Sequence, residues 1–490
     1  MQIIASHRKN DSVFVWHDLH HADFSFNRPF VIRLEDDQVL YVEHVIRIIP
    51  RKRMVAFGHW QDQAVVAKLF FDPSYAKQHA EKDAAGINIL QANKIPTPLL
   101  LYQGASEDRR IFILLFEKIV EAKNLATLWK NKKNTDEMLP LLKSVIIELA
   151  TQHVLGILQH DMHLKNFLLA DNRIYILDGA KIEITSPLLS KNPSTINLAR
   201  FLAQLGIGVE TYQKQLFRYY AQLRGWRLKD EDFNELFYLI NKRNNERWQQ
   251  FEKKIFRDSS DFSRFHHQQM SGMYDRSYHS AELMRVLKNP DAIFDQTTTK
   301  ILKAGRSATV AKVILGDHTL VIKRYNMKNV WHRLRRLFRL TRAYLSWRLT
   351  QKFILFGITT AKPVAFIENR HFGLHGKSYF ITEFVSGENA GNFFKQTPTE
   401  EESNSMIMQI SSLLKNIAKL EMTHGDLKIT NILIDAYQRP VLIDLDGAIE
   451  HLTLSSLHNT FKKEIKRFLN NFDNQLVLKE KFREILYSRS

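Results

Sequence analysis

One pattern of polar residues occurs twice in this 490-residue chain and constrains its fold more than any other feature. The pattern is an Asp, an Asn five positions later, two short apolar runs and a further Asp. Its members are Asp161, Asn166 and Asp178 in the first half, and Asp426, Asn431 and Asp444 in the second. Each copy predicts a polar loop, a strand, a turn and a second strand. An isolated copy would also suit a hairpin whose Asp and Asn merely form turns, but the repetition argues against that alternative.

Further elements repeat upstream of both copies. Each half has an apolar strand with an internal lysine, then a helix, a turn with proline, and a second apolar strand. The lysines are Lys68 and Lys323, the turns are residues 94–98 and 357–363, and the second strands are residues 111–117 and 378–387. A lysine inside an apolar strand is costly unless it is paired, although Lys68 would also suit a sheet edge, pointing to water. The repeated order predicts an α+β protein of two related domains, at residues 1–280, ending in a helical extension, and 281–490.

The residue types in this pattern suit phosphoryl transfer. In such sites one carboxylate accepts the proton of the attacking hydroxyl, an amide oxygen and a second carboxylate hold Mg²⁺, and a strand lysine contacts the phosphates. Gly305 and Ser307, in a turn between two predicted strands, would let backbone N–H groups approach phosphate. In the first half a predicted helix over residues 74–93 carries Glu81 and Asp83, either of which would be placed to orient Lys68.

The charge balance indicates an anionic partner. Lysine and arginine exceed aspartate and glutamate by 18, and the isoelectric point is about 9.7, which suits a nucleotide, a nucleic acid or an acidic lipid. The most basic segment, residues 331–342, has apolar residues at helical spacing. It predicts either a packed helix with a solvated basic face or a helix that docks on anionic headgroups or a phosphorylated sugar. We see no nucleic-acid recognition module and expect no nucleic-acid partner.

Several other classes of protein are disfavoured. The chain has no cysteine, which excludes disulfides and thiolate metal sites. No stretch of about 18 consecutive apolar residues predicts a spanning helix, and the first residues do not resemble a signal peptide. Together these features favour a cytoplasmic protein.

The repeated segments resemble the bacterial lipopolysaccharide kinases, a group of the protein-kinase-like superfamily that includes the lipopolysaccharide core heptose kinases. The resemblance rests on residues 321–326, 357–363 and 424–431 in the second half, and on residues 50–55, 67–70 and 161–169 in the first. It implies two tandem bilobal domains, each with an antiparallel β N-lobe and a mostly helical C-lobe. It also implies ATP-dependent phosphorylation of a sugar hydroxyl, on heptose or a similar sugar of the lipopolysaccharide core or a lipid-linked acceptor. The enzyme would lie peripherally on the anionic cytoplasmic face of the inner membrane.

The resemblance also implies a role for each residue of the pattern. Asp161 and Asp426 take the position of the catalytic base. The magnesium ligands would be Asn166 and Asp178 in the first half, and Asn431 and Asp444 in the second. The nucleotide contacts would be Lys68, Asp83, Gly305, Ser307 and Lys323. We prefer Asp444 to Asp446 because Asp444 follows its Asn by 13 positions, close to the 12 positions that separate Asp178 from Asn166.

Some positions depart from the pattern of that family. Gln159 stands where the loop histidine is usual, and residues 50–53 replace a glycine-rich loop. Gly425 replaces the loop arginine, and Ser346 stands where an acid would orient Lys323. Either half is therefore a candidate for an inactive domain that supports the other. The open alternatives are a scaffold of inactive kinase domains and a kinase for another small-molecule or protein hydroxyl.

Overall fold

Two units, each with its own sheets and helices, make up the computed structural model, which describes residues 12–132, 135–326, 340–371 and 374–488. The first unit comprises residues 1–205 and 209–246, and the second comprises residues 206–208 and 247–490. The division at residue 246 lies upstream of the boundary that we placed at residue 280. The physical reason is a hairpin over residues 262–275, which pairs with the main sheet of the second unit.

The first unit is built on a six-stranded antiparallel sheet. Its strands are β1 (Phe30–Arg33), β2 (Val39–Ile49), β3 (Arg53–Trp60), β4 (Gln63–Phe70), β5 (Leu100–Ala105) and β6 (Phe112–Glu117), in the order β1-β2-β3-β4-β6-β5. Alternate residues of β3 are buried, as expected for a strand with one face on the core. Gln61 and Asp62 join β3 to β4 with positive φ angles of 49° and 61°, the backbone that a two-residue hairpin requires.

Helices and two small sheets complete the first unit. The helices are α1 (Trp16–His21), α2 (Ala76–Ala92), α3 (Leu125–Asn131), α4 (Leu139–Val154), α5 (Lys191–Leu202) and α6 (Glu210–Leu223), and α7 (Asp230–Ile255) extends across the division. The small strands are β7 (Lys123–Asn124), β8 (Ile157–Gln159), β9 (Phe167–Ala170), β10 (Arg173–Ile176) and β11 (Ile182–Ile184), paired as β7-β9-β10 and β8-β11. Helix α4 buries Leu142, Val145, Ile146 and Leu149 at helical spacing, and all four belong to the main core cluster of the first unit.

The second unit has a seven-stranded antiparallel sheet. Its strands are β12 (Phe262–His267), β13 (Met270–Asp275), β14 (Lys300–Ala304), β15 (Ala308–Leu315), β16 (His318–Tyr325), β17 (Pro363–His371) and β18 (Leu374–Glu383), in the order β12-β13-β17-β18-β16-β15-β14. The helices are α8 (Ala281–Lys288), α9 (Arg342–Leu355), α10 (Ala390–Lys395), α11 (Glu400–Lys419), α12 (Leu454–Leu469) and α13 (Leu476–Tyr487). Two small sheets again form, β19-β21-β22 and β20-β23, from β19 (Gly387–Asn389), β20 (Met422–Thr423), β21 (Ile432–Asp435), β22 (Pro440–Leu442) and β23 (Ile449–Glu450).

Strand order and register repeat between the units. The order β2-β3-β4-β6-β5 in the first corresponds to β14-β15-β16-β18-β17 in the second. Lys68 lies opposite Leu114, three residues before the strand end at Glu117. Lys323 lies opposite Phe380, again three residues before the strand end, at Glu383. The strand order and register around the two lysines are therefore the same in both units.

The turns with proline are also equivalent. The Thr97 hydroxyl donates a 2.7 Å hydrogen bond to the carbonyl of Ile176, and the Thr360 hydroxyl donates a 2.9 Å bond to the carbonyl of Leu442. Each threonine ties the turn to the strand that leads to the final Asp of the pattern. Most of the basic segment at 331–342 lies outside the described residues, except that Arg342 begins α9.

Candidate active site

A cavity of about 470 Å³ gathers most of the predicted residues of the second unit. Ser307, Lys323, Asp426, Asn431 and Asp444 all line it. Its volume is typical of a small-molecule site, for which about 300–1,000 Å³ is usual. The end of β18 and the following residues, 383–385, form another part of its wall.

Lys323 contacts two carboxylates in this cavity. Its Nζ forms an ion pair with Asp444 Oδ1 and lies 3.2 Å from Asp446 Oδ1. Burial acts to raise the pKa of Asp444, but the hydrogen bond with Asp446 and the charge of Lys323 outweigh it and hold that pKa below its usual range. Burial and the hydrogen bond to Asp444 raise the pKa of Asp446. The lysine therefore faces an ionised Asp444, and it is held from the loop rather than by an acid on α9.

The backbone of Asp444 is in the left-handed region, with a φ of 65°. Such a conformation is uncommon for a residue other than glycine and costs free energy that the surroundings must supply. Asp444 lies between the end of β22 and a tight turn over Leu445–Gly447. Strained residues of this kind cluster at functional sites.

Hydrogen bonds to main-chain carbonyls hold the loop that carries Asp426. The side-chain amide of Asn431 donates to the carbonyl of Asp426 at 2.9 Å, and the Ile443 N–H donates to the carbonyl of Asn431 at 3.0 Å. The loop and the strand end next to Asp444 are thus tied through one asparagine. The same two bonds occur in the first unit at 3.2 and 3.0 Å, among Asp161, Asn166 and Leu177.

Glu464 on α12 also holds this loop, and we did not predict it from the sequence. Its carboxylate accepts the His424 N–H at 2.9 Å and also accepts the Gly425 N–H. The side chain is buried, which raises its pKa although the two N–H groups act in the opposite direction. The signal in the sequence was an acid beside Ile465 on the buried face of an amphipathic helix.

The geometry accounts for glycine at position 425. Gly425 has a φ of 84°, and a Cβ atom there would lie 1.8 Å from the carbonyl oxygen of Gly447. An arginine would clash with that backbone and would occupy a disfavoured conformation. The close approach brings the Asp426 loop against the turn that follows Asp444.

Two predicted nucleotide contacts, Gly305 and Ser307, lie in the turn between β14 and β15 but have different surroundings. Ser307 lines the cavity, whereas the Gly305 N–H donates to the carbonyl of Ala308 at 3.0 Å and so closes the turn itself. The Gly305 carbonyl accepts a hydrogen bond from the side-chain amide of Asn326 at 2.9 Å.

Ser346, at the position where an acid would orient Lys323, is instead hydrogen-bonded to the Tyr325 hydroxyl at 3.0 Å.

In the first unit the lysine is oriented by a helix acid. Lys68 Nζ lies 2.7 Å from Asp83 Oδ2 and donates to the carbonyl of Leu177 at 3.3 Å. The other Asp83 oxygen accepts the Gly179 N–H at 3.0 Å. Asp83 is only 1% exposed, and burial raises its pKa against the opposing charge of Lys68. Of the two acids considered, Glu81 instead lies 3.9 Å from Lys77 on the exposed side of α2.

Other residues of the first-unit pattern make their own local contacts. Lys181 Nζ and His163 Nε2 lie 3.9 and 3.7 Å from its two carboxylate oxygens. Buried Gln159 donates its side-chain amide to the Asp161 carbonyl at 3.3 Å, and the carboxylate of Asp178 accepts the Ala180 N–H at 3.1 Å. The turn between β2 and β3 has only residues 50–52 between the paired ends Ile49 and Arg53, and none of them is glycine.

The oxygen set in the second unit fits a magnesium ion that arrives with a nucleotide. Asn431 and Asp444 offer an amide and a carboxylate, and Mg²⁺ usually takes one or two carboxylates with phosphates and waters completing its shell. Asp444 and Asp446 already share one cation, Lys323. Within the described ranges no group of three or more His, Asp or Glu side chains could hold a metal ion by itself.

Part of the second unit is similar in sequence to a known protein family. Residues 295–480 match the model of the lipopolysaccharide kinase (Kdo/WaaP) family. These residues form a lipopolysaccharide kinase family domain. The match includes every residue that lines the second-unit cavity. It does not extend to the first unit, nor to the hairpin β12-β13 and helix α8.

Curated relatives support this assignment at low identity. The chain is 27% identical over 146 residues to a 3-deoxy-D-manno-octulosonic acid kinase of Mannheimia succiniciproducens. It is 28% identical over 146 residues to the protein of the same name from Haemophilus influenzae strain PittGG. Each match covers 28% of this chain and 60% of the relative, so the chain spans less than two thirds of the relatives' length.

A helix needs about 20 predominantly apolar residues to cross the apolar core of a bilayer. None of the described helices combines the length and apolar character that a membrane span would need.

Proposed function

We propose that the protein is an ATP-dependent kinase that phosphorylates a sugar hydroxyl of the lipopolysaccharide inner core. The observation that carries the proposal is the second-unit cavity, which brings Lys323, Asp426, Asn431 and Asp444 together inside the family match. These are the side chains that a phosphoryl transfer requires, because its catalysis is mostly positioning and charge neutralisation.

Each residue has a role in this proposal. Asp426 would accept the proton of the sugar hydroxyl, and Lys323 with Ser307 would contact the phosphates of ATP. The adenine would face the wall at residues 383–385. Asn431 and Asp444 would hold Mg²⁺, which when bound neutralises charge on the transferred phosphoryl group.

The acceptor is proposed from the relatives and from charge. The matched relatives are named 3-deoxy-D-manno-octulosonic acid kinases, so we propose that sugar first and heptose second as the phosphorylated residue. The excess of 18 positive charges suits a phosphorylated glycolipid and the anionic cytoplasmic leaflet of the inner membrane.

We infer that the first unit is a second kinase-like domain that supports the second. It shares strand order and register with the second unit and contains Lys68, Asp83, Asp161, Asn166 and Asp178. Two features favour a supporting role. Gln159 replaces the loop histidine, and the turn over residues 50–52 has no glycine that would let a backbone approach phosphate closely.

Transfer of labelled phosphate tests the proposal. The purified chain is incubated with γ-labelled ATP and Mg²⁺, and with core acceptors that end either in 3-deoxy-D-manno-octulosonic acid or in heptose. We expect label on one of the two acceptors and none without Mg²⁺. Tight ATP binding without transfer to either acceptor would contradict the enzyme and favour a scaffold of inactive kinase domains.

A further inference from the structure

The second unit includes a segment that lies outside the family match. Strands β12 and β13 extend its sheet beside β17. Helix α8 and the turn after it pack on the sheet, where Leu283, Leu287 and Ile293 share one buried cluster with Ile322 and Ile381. The segment is therefore an integral part of the unit that carries the cavity.

One residue of this segment contacts the cavity wall. The hydroxyl of Tyr278, which follows β13, donates a hydrogen bond to the carboxylate of Glu383. The tyrosine is 4% exposed. Its ring lies 4.8 Å from the His318 ring, and Lys362 Nζ lies 4.4 Å from its centre. Burial and the bond to Glu383 raise the tyrosine pKa, so the phenol stays a proton donor.

Glu383 is the last residue of β18 and lines the cavity. Its N–H donates to the Lys362 carbonyl at 2.8 Å, and the next N–H, of Phe384, donates to the Thr319 carbonyl at 2.9 Å. The backbone at this wall is therefore held at both residues. The Glu383 side chain is held separately, by the hydroxyl of Tyr278.

The equivalent residue of the first unit is held in another way. Glu117 ends β6, and its carboxylate accepts the Leu99 N–H at 2.9 Å, a group of the neighbouring strand segment. In the second unit Tyr278, which follows the hairpin β12-β13, donates to the equivalent carboxylate. The partner of the Glu383 carboxylate is therefore a residue from outside the family match.

We propose that Tyr278 is a positioning residue for nucleotide binding in the second unit. It fixes the Glu383 carboxylate, and with it the wall at residues 383–385 that faces the base. This inference rests on the proposed ATP site and adds to it a residue from beyond the family match.

Calorimetric titration of the full-length chain with Mg·ATP tests the inference. Tyr278→Phe removes only the hydroxyl, and we expect about fivefold weaker binding. This is less than the full loss of a hydrogen bond to a charged group, because Tyr278 acts on the nucleotide only through Glu383. Tyr274→Phe is the matched control. Tyr274 is equally buried, at 4%, and its hydroxyl is hydrogen-bonded at 2.9 Å to His279 of the same segment, so we expect a change of less than about twofold.

Variants of the partner separate positioning from general stability. Glu383→Ala should weaken binding as Tyr278→Phe does, and the double variant should bind no more weakly than Glu383→Ala alone. Glu383→Gln retains an acceptor oxygen and should restore most of the affinity. Glu383 is partly exposed, so these variants keep the test available if Tyr278→Phe does not fold.

Three results would overturn the inference: equal losses in Tyr278→Phe and Tyr274→Phe, unchanged affinity in Tyr278→Phe, or losses that multiply in the double variant. A wild-type chain that does not bind Mg·ATP at all would instead contradict the proposed function. The two failures are therefore distinguishable in one set of titrations.

Discussion

Replacing Glu464 by glutamine should damage both stability and transfer. The carboxylate accepts two consecutive N–H groups, from His424 and Gly425, immediately before Asp426. Glutamine has one acceptor oxygen, so one bond is lost and its NH₂ group faces a backbone donor. Hydrogen bonds to charged groups contribute about 1.5–3 kcal/mol each, so we expect the unfolding free energy of the second unit to fall by about 2 kcal/mol.

The effect on transfer follows from the position of the loop. A displacement of the reacting groups by about 1 Å can cost on the order of 100-fold in rate, and we expect a loss of that size in kcat for Glu464→Gln. The assays are urea unfolding and steady-state phosphate transfer to the core acceptor. Because the change lies behind the loop, the affinity for Mg·ATP should change by less than about threefold.

Glu368→Gln is the matched control for this prediction. Glu368 is also buried in the second unit, where it accepts the Thr341 hydroxyl at 2.7 Å and pairs with Arg370 at 2.9 Å, but it does not line the cavity. We expect a similar loss of stability with kcat nearly unchanged. Equal kcat values for the two variants would refute the positioning of Asp426 by Glu464.

Two further predictions concern stability. Gly425→Ala should lower the unfolding free energy measured in urea by at least about 3 kcal/mol, because the new Cβ meets the Gly447 carbonyl. Gly316→Ala is the control: Gly316 has a φ of 57° and nothing lies within 4 Å of the new Cβ. It should lose only the conformational free energy of about 1–2 kcal/mol. Equal losses would contradict the clash. Burial lowers the pKa of His153 to about 4. The unfolded chain therefore takes up a proton below about pH 6.5 that His153 in the folded chain does not accept until about pH 4. The contribution of His153 to the stability of the first unit is fully present above pH 6.5 and falls by about 2 kcal/mol at pH 5. His153→Gln should remove this part of the pH dependence in urea unfolding at pH 7 and 5, and parallel curves for the two proteins would contradict it.

The sequence allowed the elements near each motif to be predicted. Lys68 and Asp83 are 15 positions apart on a strand and the next helix, so their pairing at 2.7 Å follows from local order. The turns with Thr97 and Thr360 were matched by their order alone, and both make the same hydrogen bond. Short separations and a repeated order make such contacts predictable.

Contacts between distant segments could not be predicted in this way. Glu464 contacts residues about 40 positions upstream and belongs to no motif. Strand β13 pairs with β17, although two described helices and three strands separate the two in the chain, so the polar composition near residue 280 could not reveal that pairing. The sequence has no acid at position 346 to orient Lys323. Only the fold identifies Asp444 and Asp446 as the carboxylates that pair with this lysine.

The most direct test of the account compares Asp426→Asn with Asp161→Asn in single-turnover transfer from Mg·ATP to the core acceptor. The second unit is proposed to perform the chemistry, so Asp426→Asn should lower the rate by about 10²–10⁴-fold, as expected for loss of a general base. Asp161→Asn should lower it by less than about threefold, since the first unit only supports the second. The reverse result, or transfer that survives Asp426→Asn unchanged, would contradict the assignment of catalysis to the second-unit cavity.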